Sequence, residues 1–418
     1  MAWYVWVRGR GTEAAVPRPH PDPFIDCIAG DKQVPCVESY RSDGNRQMLD
    51  LHLSYQDTPR LQELLASWDT HVAAEGPIVQ HRWTDIALWP AARSATVAGS
   101  TGIEGNPLTP AQVDEVLSGG RIDARPTDIR EILNYNAALD LANRAALRPN
   151  FEWSEELIRR LNAAVLEGLE DDERGEYRRR PVTVGGVFFP PEHERIPSLM
   201  AQLVEWLRGE EAQHPLIRAG LTHLNVASIH PWVNGNGRTA RVAGSLMLMR
   251  CGIGSPELLN VESEIRANRD RYFNVLQETH GPTYQPDDHS ATGWLEYFSE
   301  ICVSRVEIRN RVTAALPGDI GLLVMELHGS RGTAEWPAVL LSARLSPVRT
   351  ARMATMLGLS PARVRAMLRD MSNAGWLEPI GERRGRRYGP SPRLLALPLR
   401  TPVLMDRLRG SEGVRRSV

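Results

Sequence analysis

Lysine is all but missing from this chain. Lys32 is the only one in 418 residues, so nearly every fixed positive charge is an arginine, and arginine enrichment alone is no evidence of function. Cysteine is scarce too. Cys27, Cys36, Cys251 and Cys302 show no close paired spacing, which excludes a disulfide framework or a zinc site and fits a reducing compartment. No apolar run is long enough to span a bilayer, so no membrane partner is expected. The start, Met1-Ala2-Trp3-Tyr4-Val5-Trp6-Val7-Arg8, lacks the charged start, apolar core and cleavage site of a secretory signal, so a cytoplasmic location is expected. Neither internal repeats nor low-complexity blocks occur. What remains is 42% hydrophobic and 24% charged, ordinary globular material with room for two or three domains.

The most informative run is His230-Pro231-Trp232-Val233-Asn234-Gly235-Asn236-Gly237-Arg238-Thr239-Ala240-Arg241. Upstream, Leu216, Ala219, His223, Val226, Ala227 and His230 follow one helix face, and Pro231 ends that helix, leaving His230 at its terminus. Gly235 and Gly237 permit positive backbone angles, so amide groups can converge on an oxygen anion where a new helix begins at about Arg238. Arg238 and Arg241 share one side of its first turn, and two guanidinium forks side by side suit a di- or triphosphate. A proton acceptor thus faces an anion-binding helix start, the makings of phosphate chemistry.

Three other segments stand out. In Val182-Thr183-Val184-Gly185-Gly186-Val187-Phe188-Phe189-Pro190-Pro191, after Gly175-Glu176-Tyr177-Arg178, two β-prone runs flank a Gly-Gly connection, a hairpin signal. Ser100-Thr101-Gly102-Ile103-Glu104-Gly105-Asn106 has the look of a capped helix start. Ile265 to Leu276 reads as a helical stretch ending near Gly281 and carrying Asn268, Tyr272 and Phe273.

The His230 to Arg241 run resembles the signature of Fic (filamentation induced by cAMP) domains, which usually transfer AMP from ATP to a protein hydroxyl. The resemblance implies that His230 is the base for the target Ser, Thr or Tyr. Gly235, Asn236 and Gly237 would cradle phosphates, with Arg238 on the β- and Arg241 on the γ-phosphate. Trp232 stands where the family has Phe. Asn234 stands where it has the Asp or Glu that holds Mg²⁺, which leaves an amide oxygen as the protein's ligand to Mg²⁺ or Mn²⁺. Ser100 to Asn106 is similar to the family's inhibitory motif, in which Glu104 would pair with Arg241 and block the γ-phosphate. The Gly-Gly hairpin resembles the Fic flap, with Val184, Gly185, Gly186 and Val187 docking an extended target segment by its strand edge. Asn268 and Tyr272 would close around the adenine.

The expected fold class is mainly α: a Fic-like helical core with a β-hairpin flap, followed by a winged helix-turn-helix domain. Residues 1–45 read as a poorly ordered extension, 46–125 as a helical region with the inhibitory motif, 126–315 as the catalytic core, 316–400 as the winged domain and 401–418 as a basic tail. The winged reading rests on a helix from Thr350 to Leu357, a turn at Gly358-Leu359, and a helix capped by Ser360-Pro361 and running to about Asn373. Its buried stripe would be Val364, Met367, Leu368 and Met371. Arg363, Arg365 and Arg369 would face outward, and Arg384 and Arg386 would tip the wing, offering nucleic-acid contacts. From Arg344 onward there are sixteen arginines and five acids, although the whole chain carries a net charge of −2. The expected activity is AMP transfer from ATP to a target protein's hydroxyl or the chain's own, restrained by Glu104. DNA bound through the C-terminal domain and a homodimer complete the expected partners. The competing readings are a nucleotide-sensing DNA-binding regulator in which Asn234 has cost the chemistry, and a transferase of another phosphorylated group.

Overall fold

The computed structural model describes residues 49–75, 82–169, 173–209, 213–253, 256–327, 334–381 and 386–409. The expected N-terminal extension, Arg384, and residues 410–418 of the expected tail lie outside them.

The described residues are mainly helical, as the periodicity predicts. Helices α1 (Pro59–Glu75), α2 (Arg82–Ala87), α3 (Trp89–Ile103) and α4 (Pro110–Leu117) lead into α5 (Pro126–Ala146), α6 (Glu155–Leu166), α7 (Ile196–Arg208), α8 (Pro215–Ile229) and α9 (Asn236–Arg250). Then come α10 (Val261–Ala267), α11 (Arg269–His280) and the long α12 (Thr292–Glu326). Local chemistry marks many of the starts. Thr109 and Gln112 form a reciprocal capping box for α4, the Ser154 hydroxyl accepts from the Leu157 amide at α6, and proline opens α4, α5 and α8. The stretch expected as one helix from Ile265 to Leu276 is broken at Asn268, whose φ of −121° and ψ of 44° separate α10 from α11.

The C-terminal part runs α13 (Trp336–Leu345), α14 (Thr350–Leu357), α15 (Pro361–Asn373), strands β1 (Leu377–Ile380) and β2 (Arg387–Pro390), α16 (Pro392–Leu395) and α17 (Thr401–Leu408). Gly358 caps α14 at φ 64° and the Ser360 hydroxyl caps α15. β1 and β2 pair antiparallel from Leu377 opposite Pro390 to Ile380 opposite Arg387, and Val348 bridges Tyr388. Val364, Met367, Leu368 and Met371 are buried as expected, while Arg363, Arg365, Arg369 and Arg386 are exposed.

Two expected boundaries do not hold. The division at 315/316 falls inside α12, which is continuous. The segment from residue 401 begins as a helix rather than a tail: the Asp319 carboxylate accepts from the backbone amides of Arg400 (3.0 Å) and Thr401 (2.7 Å), and the Asn260 amide donates to the Leu408 carbonyl at 2.8 Å. Charge composition suggests a tail because it does not register an N-terminal cap supplied from some eighty residues upstream.

Two hydrophobic cores result, and α3 joins them. Its first half, Ala91 and Ala92, packs with Leu88, Trp336, Met371 and Trp376 in the C-terminal core, whereas Val97, Ala98 and Ile103 pack with Trp232, Leu224 and Tyr272 in the other. α12 does the same, with Val306 in one core and Leu316 and Leu323 in the other. The helix carrying Ser100 is thereby held at both ends.

Candidate active site

Helix α8 ends at Ile229 and His230 follows in the left-handed region, φ 48° and ψ 60°. Among the described residues only His230 and Asn260 are non-glycine residues with positive φ. That conformation costs about 1–2 kcal/mol for a side chain with a Cβ, so the surroundings must hold it. The Arg178 Nε–H donates to the His230 carbonyl at 2.9 Å, and the Arg178 amide donates to the Pro231 carbonyl at 2.9 Å. On the ring, Nδ1 lies 3.2 Å from the Ala227 carbonyl. A proton on Nδ1 leaves Nε2 as the basic nitrogen. Burial draws the imidazole pKa down to about 4, against the opposing pull of the Ala227 hydrogen bond, so the ring is neutral near pH 7.

The loop after His230 is built by asparagines. The Asn236 side chain is buried between the backbone N–H of Trp232 (3.1 Å) and its C=O (2.8 Å), closing the turn over the buried Trp232. Its side chain therefore shapes the loop, and its backbone opens α9 two residues before the expected start at Arg238. Asn162 on α6 is fully buried. It donates to the Asn234 carbonyl at 3.0 Å and accepts from the Gly175 amide at 2.9 Å. The glycines divide two tasks. Gly235 is the N-cap of α9 at φ 78°, a true left-handed position. Gly237 is helical and serves close approach instead: a Cβ there would lie 2.6 Å from Glu104 Oε1 and 3.2 Å from Arg241 Nη1.

Arg241 and Glu104 meet over Gly237. Glu104 Oε1 accepts from Arg241 Nη2 at 2.7 Å, while Arg241 Nε donates to the Ser100 hydroxyl at 2.8 Å and Nη2 also reaches the Ser100 carbonyl at 3.1 Å. Enclosure by protein raises the Glu104 carboxyl, yet Arg241, Arg238 and Arg269 outweigh it and hold its pKa below the usual range. Glu104 leaves about a third of its side chain (34%) open to solvent, and Arg241 leaves 2%. A helix start at Ser100 is ruled out. Ser100 lies in the last turn of α3, Glu104 caps its C-terminus, and Gly105 follows at φ 99°. Arg238 is buried beside Glu131, with Nη1 3.5 Å from Oε1. Its Nε and Nη1, and Nη1 of Arg241, make no hydrogen bond to any described residue. These donors stand at the positive end of α9.

The expected flap is narrower than its sequence suggests. Gly185 (φ 60°) and Gly186 (φ 75°) turn the chain, and Val184 bridges Phe188. Phe189 then pairs in parallel with Thr283, and the Phe189 amide donates to the Pro282 carbonyl at 2.9 Å. The second β-prone run thus leaves the hairpin for the loop after α11. Val187 and Phe189 are exposed, at 47% and 53%.

Asn268 and Tyr272 are joined by a backbone hydrogen bond, the Tyr272 amide donating to the Asn268 carbonyl at 3.2 Å, but their side chains lie in different surroundings. Asn268 is exposed, with its side-chain amide donating to Glu264 at 3.0 Å. Tyr272 is 1% exposed in an aromatic cluster with His223 and Trp294, its hydroxyl 3.0 Å from His223 Nε2. A ring enclosed in this way offers no face for an adenine to stack on, and Tyr272 serves the core instead. Asn234 is exposed on the loop. Its uncharged amide oxygen is a poor anchor for a hard cation, so this side chain does not fit a resident Mg²⁺. Sequence spacing gave no sign of Asn162 or Glu131, and it marked Arg178 only as part of the run before the hairpin; their contacts to the signature join residues far apart in the chain. Cys251 and Cys302 are free, and among the described residues no helix is long and apolar enough to cross a membrane.

Residues 152–248 match the model of the Fic/DOC family. The chain is 31% identical over 229 residues to protein adenylyltransferase Fic of Drosophila virilis, covering 54% of this chain and 44% of that protein. For the protein of the same name from Drosophila grimshawi the identity is 30%, with the same coverage. The chain thus spans less than half the length of these curated relatives. A Fic family protein from Desulfovibrio desulfuricans G20 shares the fold at a TM-score of 0.54 and 24% identity, over 81% of this chain and 98% of that one. A Fic domain containing signaling protein from Bacteroides thetaiotaomicron superposes at a TM-score of 0.50 and 26% identity, over 60% of this chain and 97% of that one. The signature segment from His230 to Arg241 lies inside the span, residues 152–248, that matches the Fic/DOC family model.

Proposed function

We propose that this protein transfers AMP from ATP to a hydroxyl side chain of a target protein, and that Glu104 restrains it. The observation that carries the reading is the meeting of Glu104 with Arg241 over Gly237, at an α9 N-terminus that also holds buried donors of Arg238 and Arg241 making no hydrogen bond to any described residue. A carboxylate fills a place suited to a phosphate. With the carboxylate withdrawn, the α9 amides and both arginines would take the triphosphate. His230 Nε2 would accept the proton of the incoming hydroxyl while its oxygen attacks the α-phosphorus. The α–β phosphoanhydride bond would break, and pyrophosphate would leave with its charge held by the arginines. The names of the Drosophila relatives support adenylyl transfer. Val184 to Val187 and the exposed Phe189 would meet the target as an extended segment.

The experiment is His230→Ala. It should lower transfer by about 10²–10⁴-fold, the usual worth of base catalysis, while ATP binding by calorimetry persists. Equal labelling by both proteins would remove His230 from the reaction.

For the C-terminal part we infer a winged helix-turn-helix that binds nucleic acid. Support comes from the α14–turn–α15 pair, the β1–β2 hairpin, and the exposed arginines Arg363, Arg365, Arg369 and Arg386.

A further inference from the structure

Arg178 is 2% exposed, and its hydrogen bonds all go to backbone carbonyls of two segments. Its amide and Nε–H hold Pro231 and His230, as described above. Nη1 donates to the Arg180 carbonyl at 3.1 Å and Nη2 to the Pro191 carbonyl at 2.6 Å. Arg180 and Pro191 flank the flap on either side. One guanidinium therefore ties the left-handed residue bearing the base to both ends of the segment that would present the target. The planar fork fixes their separation more tightly than a flexible amine would. Asn162 reinforces the arrangement from α6 by holding Gly175 and Asn234.

We propose that Arg178 is a positioning residue that locks the His230 backbone to the flap, so that the base and the docked hydroxyl keep one geometry through the transfer step. The proposal rests on the reading of His230 as the base. Arg178 bonds only the backbone of His230, so it acts on the imidazole through position and charge.

The charge supplies a separable readout. Arg178 disfavours the imidazolium form of His230, acting with burial, while Glu104 at the end of α3 and the Ala227 carbonyl on α8 favour it. His280 on α11 also faces His230, and Glu192 and Glu194 face Arg178. Loss of the Arg178 charge should therefore move the His230 titration upward, whereas loss of the fork alone should not.

The test compares Arg178→Lys and Arg178→Gln in the full chain, each combined with Glu104→Gly. Three quantities are read: transfer of labelled AMP, ATP binding by calorimetry, and the His230 imidazole titration by NMR. Both variants should lose about 10²-fold in kcat, the scale of a 1 Å misplacement, with ATP affinity kept within about twofold, since the phosphate-binding groups are untouched. Arg178→Gln should raise the His230 pKa, and Arg178→Lys should leave it near the parent value. Parent-like kcat in both variants overturns the proposal, as does loss of ATP binding in step with transfer, which would mean a general loss of folding. An unchanged titration in Arg178→Gln overturns it as well. Should the Glu104→Gly parent itself transfer no AMP, the AMP-transfer reading fails, and the titration still decides whether Arg178 governs His230.

Discussion

At the scale of single residues, the site is defined by what its side chains are prevented from doing. His230 cannot hold a proton near neutrality because burial draws its pKa to about 4, and Nδ1 is committed to Ala227. Gly237 cannot acquire a side chain without striking Glu104. At Asn234 an exposed amide offers a divalent cation no charge. Restoring a carboxylate as Asn234→Asp should tighten Mg²⁺ dependence and speed transfer, measured as the rate of labelled AMP incorporation across a Mg²⁺ titration. Nucleotide binding without turnover in both forms would instead favour a nucleotide-sensing regulator.

Among elements, the parts encoded locally were legible in the sequence. The end of α8 just before Pro231, the Gly235 turn, and the Ser360 cap of α15 all depend on residues within a few positions of one another, and each stands where its chemistry predicts. Long-range packing was not legible. Ser100 to Asn106 reads as a helix start or a helix end by its residue types, and in the structure it closes α3, with Ser100 buried and Gly105 at φ 99°. The flap shows the same limit, since its second run pairs with Thr283, about a hundred residues away. Asn162 and Arg178 left no periodic signal, because a single polar residue serving distant carbonyls has none to leave. For α15, the exposed Arg363, Arg365 and Arg369 predict that the full chain binds duplex DNA with an affinity falling steeply as salt rises. Replacing one of them should also lower the slope of that dependence by about one if it meets a phosphate. No salt-dependent binding in a gel-shift titration at low salt would leave this surface as a protein contact.

Across the whole molecule, two cores share α3 and α12, so the helix that presents Ser100 cannot shift without disturbing the C-terminal core. Asp114 on α4 strengthens the connection by accepting from Ser94 at 2.8 Å and Arg352 at 2.6 Å, and Glu115 pairs with Arg349 and Arg387. Buried histidines make the assembly sensitive to acid. Burial draws His52 to about 4 and His223 to about 3, and holds His280 well below its ordinary value. The unfolded chain takes up these protons first. Stability is therefore complete above about pH 6.5 and lost as pH falls toward about 4, by something on the order of 3 kcal/mol for His52 alone. Urea midpoints taken between pH 7 and pH 4.5 should drop steadily, and a flat series would contradict these buried neutral rings.

The central claim, that Glu104 occupies a phosphate position in a working AMP-transfer site, is tested most directly by Glu104→Gly. Full-length wild type and variant are incubated with ATP labelled on the α-phosphate, and label is followed on the protein itself and on added proteins. Freed from the carboxylate, Arg241 gains a partner in the γ-phosphate, so the variant should bind ATP more tightly and incorporate more label than wild type. Adding His230→Ala should abolish that gain while sparing the tighter binding. A Glu104→Gly protein that binds ATP no better and incorporates no more label than wild type would contradict the account.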